Sequence, residues 1–570
     1  MSRRESSSVQ PARLAFVVGA FGLATVALLW RAVDLHVFNR DFLQQQGDAR
    51  ALRVVPVPAH RGMITDRQGE PLAISTPVES VWANPQVLAE HRDRIPPLAK
   101  ALGMESRQLE RLVAQRKERE FVYLQRHVAP EVAQKVSELD VPGVSLQREY
   151  RRYYPTGEVT GHVLGFTDVD DHGIEGIELM YDEQLRGIPG SKRVIRDRLG
   201  RIVENVASIS EPRPGGDLRI SVDRRIQYLA YRELKAAVLH HRARGGSAVV
   251  LDARTGEVLA MVNQPAYNPN NLRDRASARA RNRAITDVFE PGSTVKPFTV
   301  AAALESGRFR PDTVVDTGQG FLRVGNSTVR DHHALGAIDV TTLLQKSSNV
   351  GSTLLALALP PTAVRDVMQR VGFGATTGSG FPGEASGVLA SGRFGEVQRA
   401  TLSYGYGLSV TPLQLAQAYT VLASDGRLRP VSFLARTEPA EGVSAISAST
   451  VAQVRKMLES VTVEGGTGTR ARVPGYRVAG KTGTARKAEA GGYSQDRYVA
   501  VFAGFAPATR PRLAMVVMVD EPSASEYYGG EVAAPVFAAV MAGAMRLLDV
   551  PPDDLSVPPP ARVADAGGFL

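Results

Sequence analysis

The sequence predicts an α+β protein in which one N-terminal membrane helix precedes two folded units. Three observations carry that reading. Leu14 to Trp30 is an uncharged run of 17 residues between Arg13 and Arg31, suited to a helix at the short end of the membrane-spanning range with its arginines reaching outward. Pro212-Arg213-Pro214-Gly215-Gly216 is the clearest linker and divides the rest of the chain. Beyond the helix that starts close to Ser293, helical patterns run together as far as Gly374 and three strand patterns follow from Tyr476, the segregation of an α+β unit.

At 570 residues the chain is too long for one core, and 43% hydrophobic with 22% charged residues is ordinary globular material. It has no cysteine, and its ten histidines show no HExxH spacing, so disulfides, thiolate metal sites, zinc and any other cofactor are not expected. The net charge of +9 is spread along the chain without a nucleic-acid motif, which reads as solvated surface. Arg3, Arg4 and Arg13 before the apolar run face only Glu5, whereas Arg31 and Arg40 after it are balanced by Asp34 and Asp41, so a cytoplasmic N-terminus is expected. The run ends in Leu-Leu-Trp-Arg without a small-x-small site, which favours an uncleaved anchor over a removed signal. The expected division is a cytoplasmic tail at 1–12, an anchor at 13–35, a non-catalytic unit at 36–215, a larger unit at 216–550 and a loose Pro-rich tail at 551–570.

In order, Val54, Val55 and Val57 read as the core of a strand, and Arg61–Ala73 as a hairpin about Asp66-Arg67-Gln68-Gly69. Residues 85–145 read mostly as charged amphipathic helix without recognisable chemistry. Charged residues locked among glycines and prolines follow in Arg152–Pro155, Gly173–Glu178 and Arg196–Gly200; with no nucleophile among them, buried ion pairing is their expected role. Leu218–Val222 then reads as a strand, Asp223 as the cap of a helix to about His240, and Ser247–Leu251 with Glu257–Val262 as a hairpin. The late strands are expected at Tyr476–Ala479, Tyr498–Phe505 and Leu513–Val519, and the last helix at Pro535–Leu548.

The chemistry centres on Phe289-Glu290-Pro291-Gly292-Ser293-Thr294-Val295-Lys296-Pro297. Proline is cheap near a helix start, which places that start close to Ser293. Residues three apart share a helix face about 5–6 Å apart, so the Lys296 amine can reach the serine hydroxyl, and the free N–H groups of the helix start favour an oxyanion. Lys296 is the only one of the ten lysines with serine three positions before it. Two further triplets follow: Ser347-Ser348-Asn349, and Lys481-Thr482-Gly483 with Thr484 behind it. Each alone is a common accident. In this order they form the S-x-x-K, S-x-N, K-T-G set of acyl-serine penicillin-recognising enzymes.

At these residues the chain resembles the class B penicillin-binding proteins, division-type D,D-transpeptidases, over nearly its whole length. Arg61–Ala73, Arg152–Pro155, Gly173–Glu178 and Arg196–Gly200 match the family's pedestal, and Phe289–Pro297, Lys346–Gly351, Tyr404-Gly405-Tyr406-Gly407 and Lys481–Lys487 match its catalytic half. The resemblance implies a five-stranded antiparallel sheet flanked by helices, with an all-helical subdomain, standing on an extended, mostly β pedestal. It implies Ser293 as nucleophile on a D-alanyl carbonyl and Lys296 as an amine whose proton affinity burial and Lys481 depress. Ser347 would relay the proton, Asn349 would hydrogen-bond the donor backbone, and Lys481 with Thr482 would hold the terminal carboxylate. Gly483 would allow close approach, the N–H groups of Ser293 and Thr484 would form an oxyanion hole, and Arg486, Tyr498, Tyr527 and Tyr528 would line the cleft. Which residue is the acylation base stays open.

The implied ligands are peptidoglycan stem peptides ending in D-Ala-D-Ala and β-lactam antibiotics. The implied setting is a single-pass protein of the inner membrane, catalytic domain periplasmic, working at the septum with an FtsW-like glycan polymerase and other division proteins through its pedestal. A class A β-lactamase is disfavoured, because residues 350–480 contain no asparagine to complete its Glu-x-x-x-Asn signature. An antibiotic sensor would need cytoplasmic signalling sequence, and only about a dozen residues precede the apolar run. An inactive scaffold would not keep a competent residue at every motif position. An elongation-specific class B transpeptidase is the nearest alternative.

Overall fold

The computed structural model describes residues 11–40, 52–196, 202–489 and 491–554. The helix Pro11–Val33, extended by a π-turn at Asp34–Phe38, is built from alanine, leucine, valine and phenylalanine; over Ala12–Phe38 its mean hydropathy reaches 2.0 with none of it buried, long and apolar enough to cross a membrane. By internal contacts the chain forms two units: residues 1–60, 77–151 and 187–214 make one, and residues 61–76, 152–186 and 215–570 the other.

In the first unit Leu52–Val57, Gly190–Arg196 and Ile202–Ser210 form a three-stranded antiparallel sheet. Elsewhere in it the helices Pro85–Glu90, Ile95–Leu102, Ser106–Gln115 and Pro130–Glu138 bury Leu88, Leu98, Leu109 and Val136 against Val81, Leu124 and Val128. The helical reading of residues 85–145 is thus interrupted by the strand Val122–Val128, which pairs antiparallel with Glu79–Ala83. The reason is legible afterwards: Val122, Leu124 and Val128 are buried while Gln125 is exposed, so a short period-two pattern sits between longer helical ones.

The second unit is organised by a five-stranded antiparallel sheet with the spatial order Val258–Gln264, Gly245–Asp252, Leu513–Asp520, Gly492–Ala506, Ala479–Glu489. Every residue of Gly245–Asp252 and Val258–Gln264 is buried, as expected of strands covered on both faces. Alternate side chains divide between two cores: Ala248, Val250, Met515 and Val517 pack with residues of the helices Arg224–His240 and Ala534–Leu547, while Val249, Leu251, Val516 and Met518 pack with Phe298, Leu415 and Tyr419. Asp223 caps the first of those helices by accepting the Arg225 N–H. The last sequence-predicted strand group shifts: Tyr476 to Val478 precede the strand, which starts at Ala479 and runs through the polar Lys481–Glu489. Helix does not continue unbroken to Gly374 either. Two ribbons, Val314–Asp316 with Ala337–Asp339 and Phe321–Val324 with Ser327–Arg330, interrupt the expected all-helical subdomain.

The charged segments form one buried network inside this unit. Arg61 Nε donates to Glu178 Oε2 at 2.8 Å and its Nη1 to Asp182 Oδ1 at 2.7 Å. Arg152 Nε donates to the other Glu178 oxygen at 2.6 Å and its Nη1 to the Gly62 carbonyl at 2.8 Å. Arg61, Arg152 and Glu178 are 1%, 3% and 0% exposed. Of Arg196–Gly200, residues 197–200 lie outside the described residues.

Candidate active site

Ser293 sits in a single 3₁₀ turn, Gly292–Val295, that leads into the buried helix Lys296–Glu305. Pro297 occupies the second helical position, where its missing N–H costs nothing. The turn is fixed from below: Thr294 Oγ1 donates to the Pro291 carbonyl at 2.7 Å, and the buried Tyr419 hydroxyl donates to the Thr294 carbonyl at 2.8 Å. Gly405 is required beside it, because a Cβ there would stand 1.9 Å from the Gly292 carbonyl oxygen, and its own carbonyl accepts the Gly292 N–H at 3.1 Å. Ser293 is half-buried, and among the described residues its hydroxyl has no hydrogen-bond partner.

Lys296 is fully buried. Its Nζ donates to the Ser347 carbonyl at 2.6 Å and to Asn349 Oδ1 at 2.7 Å, and lies 3.2 Å from Ser347 Oγ. That reach depends on an unusual backbone. Ser347 ends the helix Val340–Lys346 with φ 61° and ψ 41°, left-handed, which turns its carbonyl back toward the lysine. Ser348 then caps the helix Asn349–Ala358, its Oγ accepting the Gly351 N–H at 2.8 Å.

Lys481, Thr482, Gly483 and Thr484 lie on the strand Ala479–Glu489, which is hydrogen-bonded to one neighbour only and so forms the sheet edge. Thr482 pairs with Phe502, Gly483 with Val501 and Thr484 with Ala500. A Cβ on Gly483 would meet Thr294 Cγ2 at 2.8 Å and the Pro291 carbonyl oxygen at 2.9 Å, so only glycine lets this strand lie against the serine turn. Lys481 is 0% exposed, and among the described residues its Nζ reaches only the Thr482 carbonyl, 3.3 Å, and Oγ1, 3.5 Å. Burial pushes the Lys481 ammonium down to about 7. Burial first, and the Lys481 charge second, hold Lys296 well below its usual value, with Asp331 opposing them. Both amines are buried, and among the described residues no carboxylate is in contact with either.

The four cleft residues are brought together. Tyr498, Tyr527 and Tyr528 stack in series with ring centroids 4.5 Å and 4.4 Å apart, and the Arg486 guanidinium lies 6.0 Å from the Tyr498 ring. Gly529, directly after the stack, donates its N–H to Thr484 Oγ1 at 3.0 Å.

Several supporting residues escaped sequence reasoning. Asp331 accepts the Ser348 hydroxyl at 2.6 Å and the Val350 N–H at 3.0 Å, and also bonds the Asn349 N–H, fixing the second and third residues of the S-x-N segment. Thr467 shares a 2.8 Å hydrogen bond with Thr482. Glu290 accepts the Gly407 N–H at 2.8 Å and the Tyr493 hydroxyl at 3.1 Å. His332 meets Tyr528 edge to face at 6.1 Å. For Asp331 the one available signal is its place just after a ribbon; for Glu290 it is adjacency to the serine motif. A nucleophile, a buried amine of low proton affinity and an edge strand open to an extended peptide make acyl transfer the chemistry this arrangement can perform.

The family model described as the penicillin binding protein transpeptidase domain matches residues 246–542, and the penicillin-binding protein dimerisation domain matches residues 56–220. The chain is 45% identical over 550 residues to the peptidoglycan D,D-transpeptidase FtsI of Escherichia coli K12, spanning 95% of this chain and 93% of that one. It is 42% identical over 562 residues to the probable peptidoglycan D,D-transpeptidase PbpC of Pseudomonas aeruginosa, spanning 98% and 99%. Among solved structures it matches the transpeptidase domain of Burkholderia pseudomallei penicillin-binding protein 3 with a TM-score of 0.55 and 43% identity, over 59% of this chain and 98% of that domain. Two family domains in series, a five-stranded sheet and identity sustained across nearly the full length place this chain in the penicillin-binding protein transpeptidase family, in its class B, FtsI-like branch.

Proposed function

We propose that this chain is a peptidoglycan D,D-transpeptidase that works through an acyl-Ser293 intermediate and is acylated at the same residue by β-lactams. The observation that supports it most is the convergence of all three motifs on one buried amine, Lys296, in contact with Ser347 and Asn349 and depressed by burial and Lys481. A neutral amine has two N–H groups and one lone pair. The Ser347 carbonyl and Asn349 Oδ1 can only accept, so they take both N–H groups and leave the lone pair for a hydroxyl.

Lys296 therefore takes the Ser293 proton as Oγ attacks the penultimate D-alanine carbonyl, and the oxyanion faces the N–H groups of Ser293 and Thr484. The C–N bond breaks, and the terminal D-alanine amine leaves with that proton by way of Ser347. In the second half the amine of another stem peptide attacks the ester, and Ser293 Oγ departs with a proton returned by the same relay. Asn349 has one amide N–H engaged by the Arg330 carbonyl and keeps the other for the donor backbone. Lys481 and Thr482 hold the donor carboxylate, and Arg486, Tyr498, Tyr527 and Tyr528 line its approach. Intact-mass measurement and digestion after treatment with a fluorescent penicillin tests this: the adduct is expected on Ser293, and labelling that survives in Ser293→Ala overturns it.

The setting we propose is a single-pass inner-membrane protein, N-terminus cytoplasmic and transpeptidase unit periplasmic, at the division septum. A reporter active only outside the cytoplasm, fused after residue 60, is expected to be active. The partner is an FtsW-like membrane glycan polymerase, reached through the pedestal. Leu179, 41% exposed beside the buried Glu178, offers a probe: Leu179→Asp is expected to block division while Ser293 still labels. Normal division in that variant removes the support for contact at this point.

A further inference from the structure

The face of the central sheet turned away from Ser293 carries an open groove. Phe298, on the helix that follows the serine turn, packs with Val249 and Val516, whereas the helices Arg224–His240 and Ala534–Leu547 pack with Val250 and Val517 on the opposite face. Those two helices meet at Gly543, where a Cβ would stand 2.3 Å from Leu229 Cδ2. Beside that meeting point lies a groove of about 640 Å³, lined by Val159, Leu229 and Leu547, with Tyr228, 53% exposed, at its lip. Its volume is that of a small-molecule site.

Three arginines border this groove, and they are not equivalent. Arg224 Nη2 lies 3.3 Å from Glu70 Oε2, and Arg225 Nη2 donates to Asp223 Oδ2 at 2.8 Å, with Asp549 near enough to bear on it as well. Arg546, in the last turn of its helix, is exposed, and among the described residues its guanidinium has no acceptor. Two of the cations are thus matched by acids, and one is left over beside an apolar surface.

We infer that this groove binds a single-chain amphiphile, a fatty acid whose carboxylate takes the Arg546 fork and whose acyl chain lies on Val159, Leu229 and Leu547. One negative charge suits it, because a dianionic head would need a second free cation and the other two guanidinium groups are engaged. A wholly apolar ligand would leave Arg546 unanswered, and a bare anion would leave the apolar lining in water. The source is at hand: the helix Pro11–Val33 is long and apolar enough to cross a membrane, and a bilayer around it is made of such chains.

A diazirine-bearing hexadecanoic acid and its methyl ester test it on the full-length protein in bilayer nanodiscs, with photo-adducts mapped by digestion and normalised to those on residues 11–33. The acid is expected to label the peptides that carry Tyr228 and Leu547 about ten-fold more than the ester, which has the same chain but no charge. Arg546→Glu is expected to bring that ratio to about one, and Tyr228→Glu, a negative charge at the lip, to lower it. Both positions are exposed, so the melting temperature and penicillin labelling of Ser293 are expected to hold in each variant. Absence of groove adducts, a ratio near one in the unsubstituted protein, or a ratio unaltered in both variants overturns the inference. Groove adducts that vanish as the protein is concentrated assign this face to a second copy of the chain and overturn it too.

Discussion

The second unit buries positive charge in two places and handles it in opposite ways. Around Glu178 every buried guanidinium meets a carboxylate: Arg61 has Glu178 and Asp182, and Arg152 has Glu178. Around Lys296 the two buried lysine amines meet, among the described residues, carbonyl, amide and hydroxyl oxygens only. Arginine keeps its proton in any environment, so burying it demands a partner and yields a rigid joint. Lysine can surrender its proton, so burying it without a partner yields a base. With Lys296 as the proposed base, the choice between Arg and Lys separates a scaffold from a catalyst.

Removing one residue from each place is the sharpest way to break the contrast. Lys296→Ala is expected to slow acylation by penicillin about 10²–10⁴-fold while the melting temperature holds or rises, because a proton acceptor is lost but no ion pair is. Acylation at the normal rate would transfer the role of base to another group. Glu178→Ala strands two buried guanidinium groups, and denaturant unfolding is expected to show a loss of about 3–5 kcal/mol. A loss below about 1 kcal/mol would mean that water reaches the network. Asp331→Ala removes a helix cap and the one carboxylate that supports protonated Lys296; about 1–2 kcal/mol of stability is expected to go, and the acidic limb of the acylation profile, where Lys296 loses its proton, to move to lower pH. A limb that stays put would confine Asp331 to capping.

The smallest effect concerns Lys481. Its folded value, about 7, lies below the unfolded 10.5, so between these pH values the unfolded chain binds the extra proton, and the cost of a buried cation grows as pH falls through that window. Lys481→Met escapes it. The variant is expected to be the more stable of the two at pH 7, by a margin in melting temperature that narrows toward pH 10. A margin independent of pH would show that Lys481 is not depressed.

How much of this was legible follows from where each contact is encoded. The serine turn was readable because proline, glycine and a three-residue spacing act within one helical turn. The hairpin Gly245–Gln264 and the cap at Asp223 were readable for the same local reason. The strand Ala479–Glu489 was placed too early because its catalytic half reads Lys-Thr-Gly-Thr-Ala-Arg-Lys, polar residues that an edge strand facing a cleft can carry and a buried one cannot. Asp331 and Glu290 act across gaps of 17 and 117 residues, on Ser348 and Gly407, which no local pattern reveals. The ribbons within 314–339 were missed because strands of three and four residues leave too short a period to detect.

The left-handed backbone of Ser347 narrows what can replace it. Glycine would adopt that conformation with no penalty and would lose only the hydroxyl; threonine would keep the hydroxyl but bring a branched Cβ into a region that costs such residues about 1–3 kcal/mol. Asparagine tolerates the backbone and offers an amide in place of the proposed relay hydroxyl. None of these three substitutions satisfies both requirements. On the proposed relay, substitution at Ser347 is therefore expected to cost either catalysis or folding, and changes selected by β-lactams are expected around this position rather than at it.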